Sequence, residues 1–150
     1  RYQEYLPESI AIEDLAHGGT VKVISGKTDK GTVGPVINDF VSPTYMDISL
    51  SDNEAFSQRL SLGHNAFIYV LQGSVNIISD QDGKSPLTSK HLGILSDGEQ
   101  VTIESAEQDS RFLLIAGKPL NEPVARGGPF VMNTEAEIRQ AFADYQRGLF

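Results

Sequence analysis

The sequence contains no cysteine and no tryptophan, only three histidines, and 12 lysines and arginines against 20 acidic residues. Without cysteine there is no disulfide, no thiolate zinc site and no cysteine nucleophile. A formal net charge of −8 repels phosphate backbones, and the few cations are scattered, with Lys22, Lys27 and Lys30 the nearest to a cluster. Direct binding to nucleic acid is not expected. No apolar run approaches the roughly 18 residues of a membrane span. The opening RYQEYLPESIAIEDL has no apolar stretch behind a basic start, so it does not read as a secretory signal. With no signal and no disulfide, a cytoplasmic home away from membranes is expected. There is no internal repeat and no low-complexity linker, and the 150 residues, 39% apolar and 21% charged, are expected to form one domain with its own core. The first residue is Arg1 and not Met, so a preceding segment is expected.

What is present is a series of short runs with period-2 alternation. VKVIS (21–25), YMDISL (45–50), AFSQRL (55–60), AFIYVLQ (66–72), SVNIIS (74–79), HLGILS (91–96), QVTIES (100–105) and RFLLIAG (111–117) read as strands. In YMDISL, Met46, Ile48 and Leu50 face one way and Asp47 and Ser49 the other. Turn signals DKGTVGP, SLGHN, DQDGKSP, SDGE and AEQDS separate them. Strands are expected across about 21–133, and many short strands with regular turns argue for a sandwich or a closed barrel. AFIYVL and RFLLIA are almost continuously apolar, the pattern of strands covered on both faces. The end of the chain differs. Ile138, Ala141, Phe142 and Tyr145 recur at helical spacing, Thr134 and Glu137 fit a capping box, and Gly148 is placed to stop the helix. A helix is expected over about 135–147, with its apolar face on the barrel.

Several motifs invite a chemical reading and do not sustain it. SGKTDKG (25–31) ends like a phosphate-binding loop, but the position five before Gly26 is Val21 and no helix can follow, so a solvated hairpin loop is expected. ARGGPF (125–130) sets Arg126 beside two glycines and reads as a turn into the last strand. No serine has a nucleophile-elbow context. Glu13 with Asp14, and Asp80 with Asp82, read as solvated turn carboxylates. His17, His64 and His91 are not spaced to put two ligands on one strand face, and no shared metal site is expected of them.

LGHNAFIYVLQGSV, RFLLIAGKPLNEPVARGGPFVMNT and EIRQAFADYQRGLF together resemble the C-terminal half of the pirin family, and the resemblance extends from RYQ to DYQRGLF. It implies an all-β cupin fold, an antiparallel β-barrel or jelly roll with a C-terminal α-helix. Pirins resemble bicupins, whose N-terminal barrel holds a mononuclear iron on three histidines and a glutamate. Some members are similar to quercetin dioxygenases, and animal members are nuclear cofactors of transcription factors. By this resemblance the chain is an isolated second barrel, with the iron-binding half absent.

The first cupin motif runs H-x-H, three or four residues, E, six residues, G. With its last glycine on Gly73, the glutamate position falls on Ala66 and the histidine positions on Leu60 and Leu62, or on Arg59 and Ser61 in the other register. The stretch 101–117, where a second motif should offer a histidine, has neither His nor Pro. The resemblance therefore implies no catalytic residue, metal or cofactor in this chain. Leu60, Leu62, Ala66, Ile68 and Val70 are expected to face inward, either as packed core or as the lining of an apolar ligand pocket. Three readings of function follow. One is a non-catalytic support and interaction domain for an iron-binding N-terminal cupin. Another is one half of an iron-dependent quercetin 2,3-dioxygenase, the isolated chain being inactive. A third is a stand-alone partner-binding module, pairing with a copy of itself or another protein through an exposed apolar face.

Overall fold

The computed structural model describes residues 3–79, 83–106 and 109–149. It divides into two compact units, 1–119 and 120–150.

The first unit is a jelly roll of two antiparallel sheets. After a short 3-10 turn at Pro7–Ser9, its strands are β1 (Ala11–Asp14), β2 (Thr20–Ser25), β3 (Thr44–Leu50), β4 (Ala55–Arg59), β5 (Asn65–Gln72), β6 (Ser74–Ser79), β7 (Gly83–Thr88), β8 (Leu92–Ile94), β9 (Gln100–Ser105) and β10 (Ser110–Gly117). One sheet has the order β1-β2-β3-β10-β5-β8 and the other β4-β9-β6-β7. The described strands thus form two sheets with edges and not one continuous barrel. The inward residues are those the alternation marks. Met46, Ile48 and Leu50 of β3, Ile68 and Val70 of β5, and Phe112 and Leu114 of β10 form one core with Val21, Val23, Phe56, Val75, Val101 and Ile103. Every one is 5% exposed or less, and burying such side chains stabilises by roughly 1.5–3 kcal/mol each.

The expected strands are all present. HLGILS shrinks to Leu92–Ile94. AFSQRL ends at Arg59, one residue before Leu60. Two strands of this unit were not expected, and in the second unit the first half of ARGGPF, read as a turn, is a third, Ala125–Gly127. β1 was hidden by its charged residues, and the end of the DQDGKSP turn is the start of β7, whose residues are mostly exposed. The GKT loop is a turn, with Gly31 N donating to Thr28 O at 2.9 Å and Thr28 N to Thr32 O at 2.9 Å. Asp80 and Asp82 lie outside the described residues.

The second unit is a hairpin, β11 (Ala125–Gly127) with β12 (Phe130–Met132), followed by α1 (Glu135–Gln146). The capping box is formed: Thr134 Oγ1 accepts from Glu137 N and Glu137 Oε2 from Thr134 N. Gly148 ends the helix at φ +71°. The apolar helix face meets the hairpin. Phe130 stacks edge-on to Phe142 at 5.1 Å and to Tyr145 at 6.0 Å. A Cβ on Gly127 would come within 2.5 Å of Ile138 Cγ2, so glycine is what allows this contact.

Candidate functional site

The cupin ligand positions come first. Leu60 follows β4 and is partly buried against the core. Leu62 is 61% exposed, contrary to the expectation that it faces inward with Leu60. The strand alternation stops at Arg59, and the chain then turns, with His64 N donating to Ser61 O at 3.1 Å. In the other register Arg59 and Ser61 are both exposed. Ala66 is 7% exposed, and Ile68 and Val70 are fully buried. Leucine and alanine side chains carry no donor atom, so these positions do not fit a cupin metal. Among the described residues no three His, Cys, Asp or Glu converge on one point.

Ile68 and Val70 belong to the packed core. An open groove of about 580 Å³ does exist, lined by Leu60, Ile77, Leu95 and Val101 together with Asp97 and Gln100. Of the five residues expected to line a pocket, only Leu60 reaches it.

The structure also assembles a polar cluster that the sequence did not mark. The Glu54 side chain, in the turn before β4, accepts from His17 N at 2.7 Å, Gly19 N at 2.9 Å and Ser51 N at 3.0 Å. Glu54 is 3% exposed. Burial pushes its carboxyl up, but the amides of Ser51, His17 and Gly19, with the His17 charge, hold it below the ordinary value. A Cβ on Gly19 would lie 2.2 Å from Glu54 Oε2, so the clasp requires glycine there. Because residues 15–19 link β1 to β2, Glu54 ties the edge of one sheet to the edge of the other. Gln58, also 3% exposed, does similar work further along β4. Its Nε2 donates to Lys27 O at 3.2 Å and Asp29 Oδ1 at 3.3 Å. A polar residue at an inward position between Phe56 and Leu60 was the available signal.

Glu13 is not a solvated turn residue. It lies on β1 and accepts from Thr28 Oγ1, and its side chain is 9% exposed. Glu13, Leu15, His17, Asp29, Glu54 and Phe56 are among the residues lining a groove of about 500 Å³. His91 is elsewhere, its Nδ1 3.0 Å from Thr88 Oγ1. Arg126 is exposed on β11.

The outer faces of the two sheets are chemically different. The β-register aligns Tyr45, Ile115, Phe67 and Ile94 in one row across β3, β10, β5 and β8. The next row is Asp47, Leu113, Tyr69 and Leu92. Ile94 is 83% exposed and Leu92 50%. On the other sheet the corresponding rows are Ala55, Glu104, Asn76 and Pro86, and Ser57, Thr102, Ile78 and Lys84.

Fold and core thus define a cupin: residues 45–150 match the family described as the Pirin C-terminal cupin domain. The chain is 41% identical over 149 residues to a pirin-like protein of Caulobacter vibrioides, covering 99% of this chain and 52% of that one. It is 39% identical over 148 residues to human pirin, covering 97% and 49%. The crystal structure of quercetin 2,3-dioxygenase from Acinetobacter baumannii superimposes with a TM-score of 0.86 at 33% identity, covering 99% of this chain and 50% of that one. The chain belongs to the pirin family. It spans about half the length of the curated relatives it matches. No helix among the described residues is long and apolar enough to cross a membrane.

Proposed function

We propose that this chain is a metal-free, non-catalytic cupin module of the cytoplasm, which supports an iron-binding cupin half and docks to it through the outer face of the six-stranded sheet. The observation that carries this reading is the combination of donorless side chains at the cupin ligand positions Leu60, Leu62 and Ala66 with an apolar outer sheet face on the same unit. An antiparallel sheet facing water alternates apolar inside with polar outside. Tyr45, Phe67, Leu113, Ile115, Leu92 and Ile94 break that rule as a block on the six-stranded sheet, whereas on the other sheet Ala55, Ile78 and Pro86 are interspersed with polar and charged residues. Aromatic and aliphatic side chains in a contiguous patch mark surfaces that bind protein. Detached from such a partner, the module pairs with a second copy through the same face.

A second reading has its own support. The similarity to a solved quercetin 2,3-dioxygenase over nearly the whole chain favours a place within a larger oxygenase, whose iron would be held by the other half. Both readings leave this chain without a metal. Elemental analysis after growth in iron-supplemented medium and extensive dialysis tests them together. The expected content is near zero. One equivalent of iron, copper, nickel or zinc would overturn the assignment, and His17, His64 and His91 would then be the residues to substitute.

A further inference from the structure

We propose that the outer edge of β4, where it borders the groove shared with β1, takes up an extended basic peptide as an added strand. The register of β4 decides which of its main-chain groups face outward. Ser105 N donates to Glu54 O and Leu60 N to Glu99 O, both at 2.9 Å, at the two ends of the β4–β9 ladder. Hydrogen-bonded and non-hydrogen-bonded pairs alternate along an antiparallel ladder. Even-numbered residues of β4 therefore direct their main-chain groups to β9, and Ala55, Ser57 and Arg59 turn theirs outward. Ser57 Oγ lies 2.9 Å from Thr102 Oγ1, the close approach expected of a non-hydrogen-bonded pair.

Arg59 N is already taken by the Asp29 carboxylate, at 3.2 and 3.3 Å. The N–H and C=O groups of Ala55 and Ser57 have no partner among the described residues. β4 is the terminal strand of its sheet, so these four groups are a template for one more strand.

The groove beside this edge selects the occupant. Residues of an added strand alternate faces, so the one opposite Phe56 would point to the side that Phe56 and Leu15 line. That position suits an apolar side chain. The residues two places away on the same side would approach Glu54 at one end and Asp29 at the other. Three carboxylates, Glu13, Asp29 and Glu54, line the groove beside His17 and one lysine, Lys30, which lies 3.5 Å from Glu13; just outside the lining, Arg59 Nε lies 4.0 Å from Asp29 Oδ2. Charge complementarity thus calls for basic side chains flanking the apolar one.

The probe is an acetylated, amidated heptapeptide of sequence TRTVTRT, symmetric about its valine so that strand direction does not matter. It is titrated into the 15N-labelled chain. The expected result is saturable shift changes at the amides of 53–58 and 13–17, and binding at least about tenfold weaker for TETVTET. Ser57→Pro removes one outward N–H at an edge position that tolerates proline and should weaken binding at least about tenfold. Ser57→Ala, which keeps the amide, should leave it unchanged. Should Ser57→Pro fail to fold, TRTVTRT N-methylated at alternate residues reads the same loss from the peptide side. No saturable binding, equal binding of the acidic peptide, or undiminished binding by Ser57→Pro or the methylated peptide would overturn the proposal.

Discussion

The two sheets of this jelly roll share one core yet present opposite outer faces. Across β3, β10, β5 and β8 the outward rows are Tyr45, Ile115, Phe67, Ile94 and Asp47, Leu113, Tyr69, Leu92. A charged pair nearby is the bidentate contact of Arg111 with Asp47, whose hydrogen bonds raise the guanidinium above its ordinary value. Across β4, β9 and β6 the outward rows instead carry Ser57 bonded to Thr102, and Glu104 paired with Lys84 of β7. The same backbone geometry produced both, so the difference is a matter of what each face meets. One face is built for water. The other carries a row of apolar side chains, and it is on this contrast that the proposed docking role rests.

The largest effect is expected in the shared interior, where both sheets should respond alike. Phe112 is fully buried on β10. Phe112→Ala should destabilise the chain by about 3–5 kcal/mol in urea unfolding, the cost of lost burial plus a cavity. A value under about 1 kcal/mol would mean that the two sheets do not share a tight core.

The next effect lies where the sheets are clasped. Glu54→Gln keeps the shape of the side chain but puts an amide before three main-chain donors, and should cost about 1–3 kcal/mol at neutral pH. The folded carboxyl titrates below its ordinary value of 4.5. Its stabilisation is therefore complete above about pH 4.5 and is lost as pH falls through the lower folded value. The gap between the native chain and Glu54→Gln should narrow on acidification below that point. A gap that stays constant to pH 3 would show that Glu54 acts through packing and not through charge.

Much of this was legible in the sequence. Period-2 alternation located Met46, Ile48 and Leu50 correctly because those strands have one wet and one dry face. The capping box at Thr134 and Glu137 is a local device, and local devices read well. The almost unbroken apolar runs AFIYVL and RFLLIA proved to be the two strands at the centre of the apolar outer face, Phe67 and Tyr69 beside Leu113 and Ile115. What failed was long-range or polar. Leu62 was assigned by extending an alternation past the end of its strand. Glu13 looked like a turn residue because nothing local shows that Thr28, fifteen residues on, donates to it. The Glu54 clasp spans 35 residues to Gly19 and leaves no periodic trace.

The outer faces themselves supply a sharper test. Leu92→Glu with Ile94→Glu adds two charges to the apolar face at exposed positions, and the fold should change by no more than about 0.5 kcal/mol. Self-association of the isolated chain, followed by sedimentation velocity at rising concentration, should be abolished. Asn76→Glu with Thr102→Glu adds the same charge to the polar face and should leave association as it was. Equal loss from both doubles would point to net charge and not to the face.

The smallest effect is expected at the lysine contact of the polar face, and its smallness is informative. Lys84 Nζ lies 2.5 Å from Glu104 Oε2, with the lysine side chain 62% exposed and the glutamate 35%. Water competes for both groups, and ordering two long side chains consumes most of the attraction. Lys84→Ala should therefore cost no more than about 0.5 kcal/mol, and less at high salt. A cost above about 2 kcal/mol that salt does not diminish would mean that this pair is shielded from water. Cover over the polar sheet would then be indicated, and the contrast between the two faces would no longer support the proposed docking face.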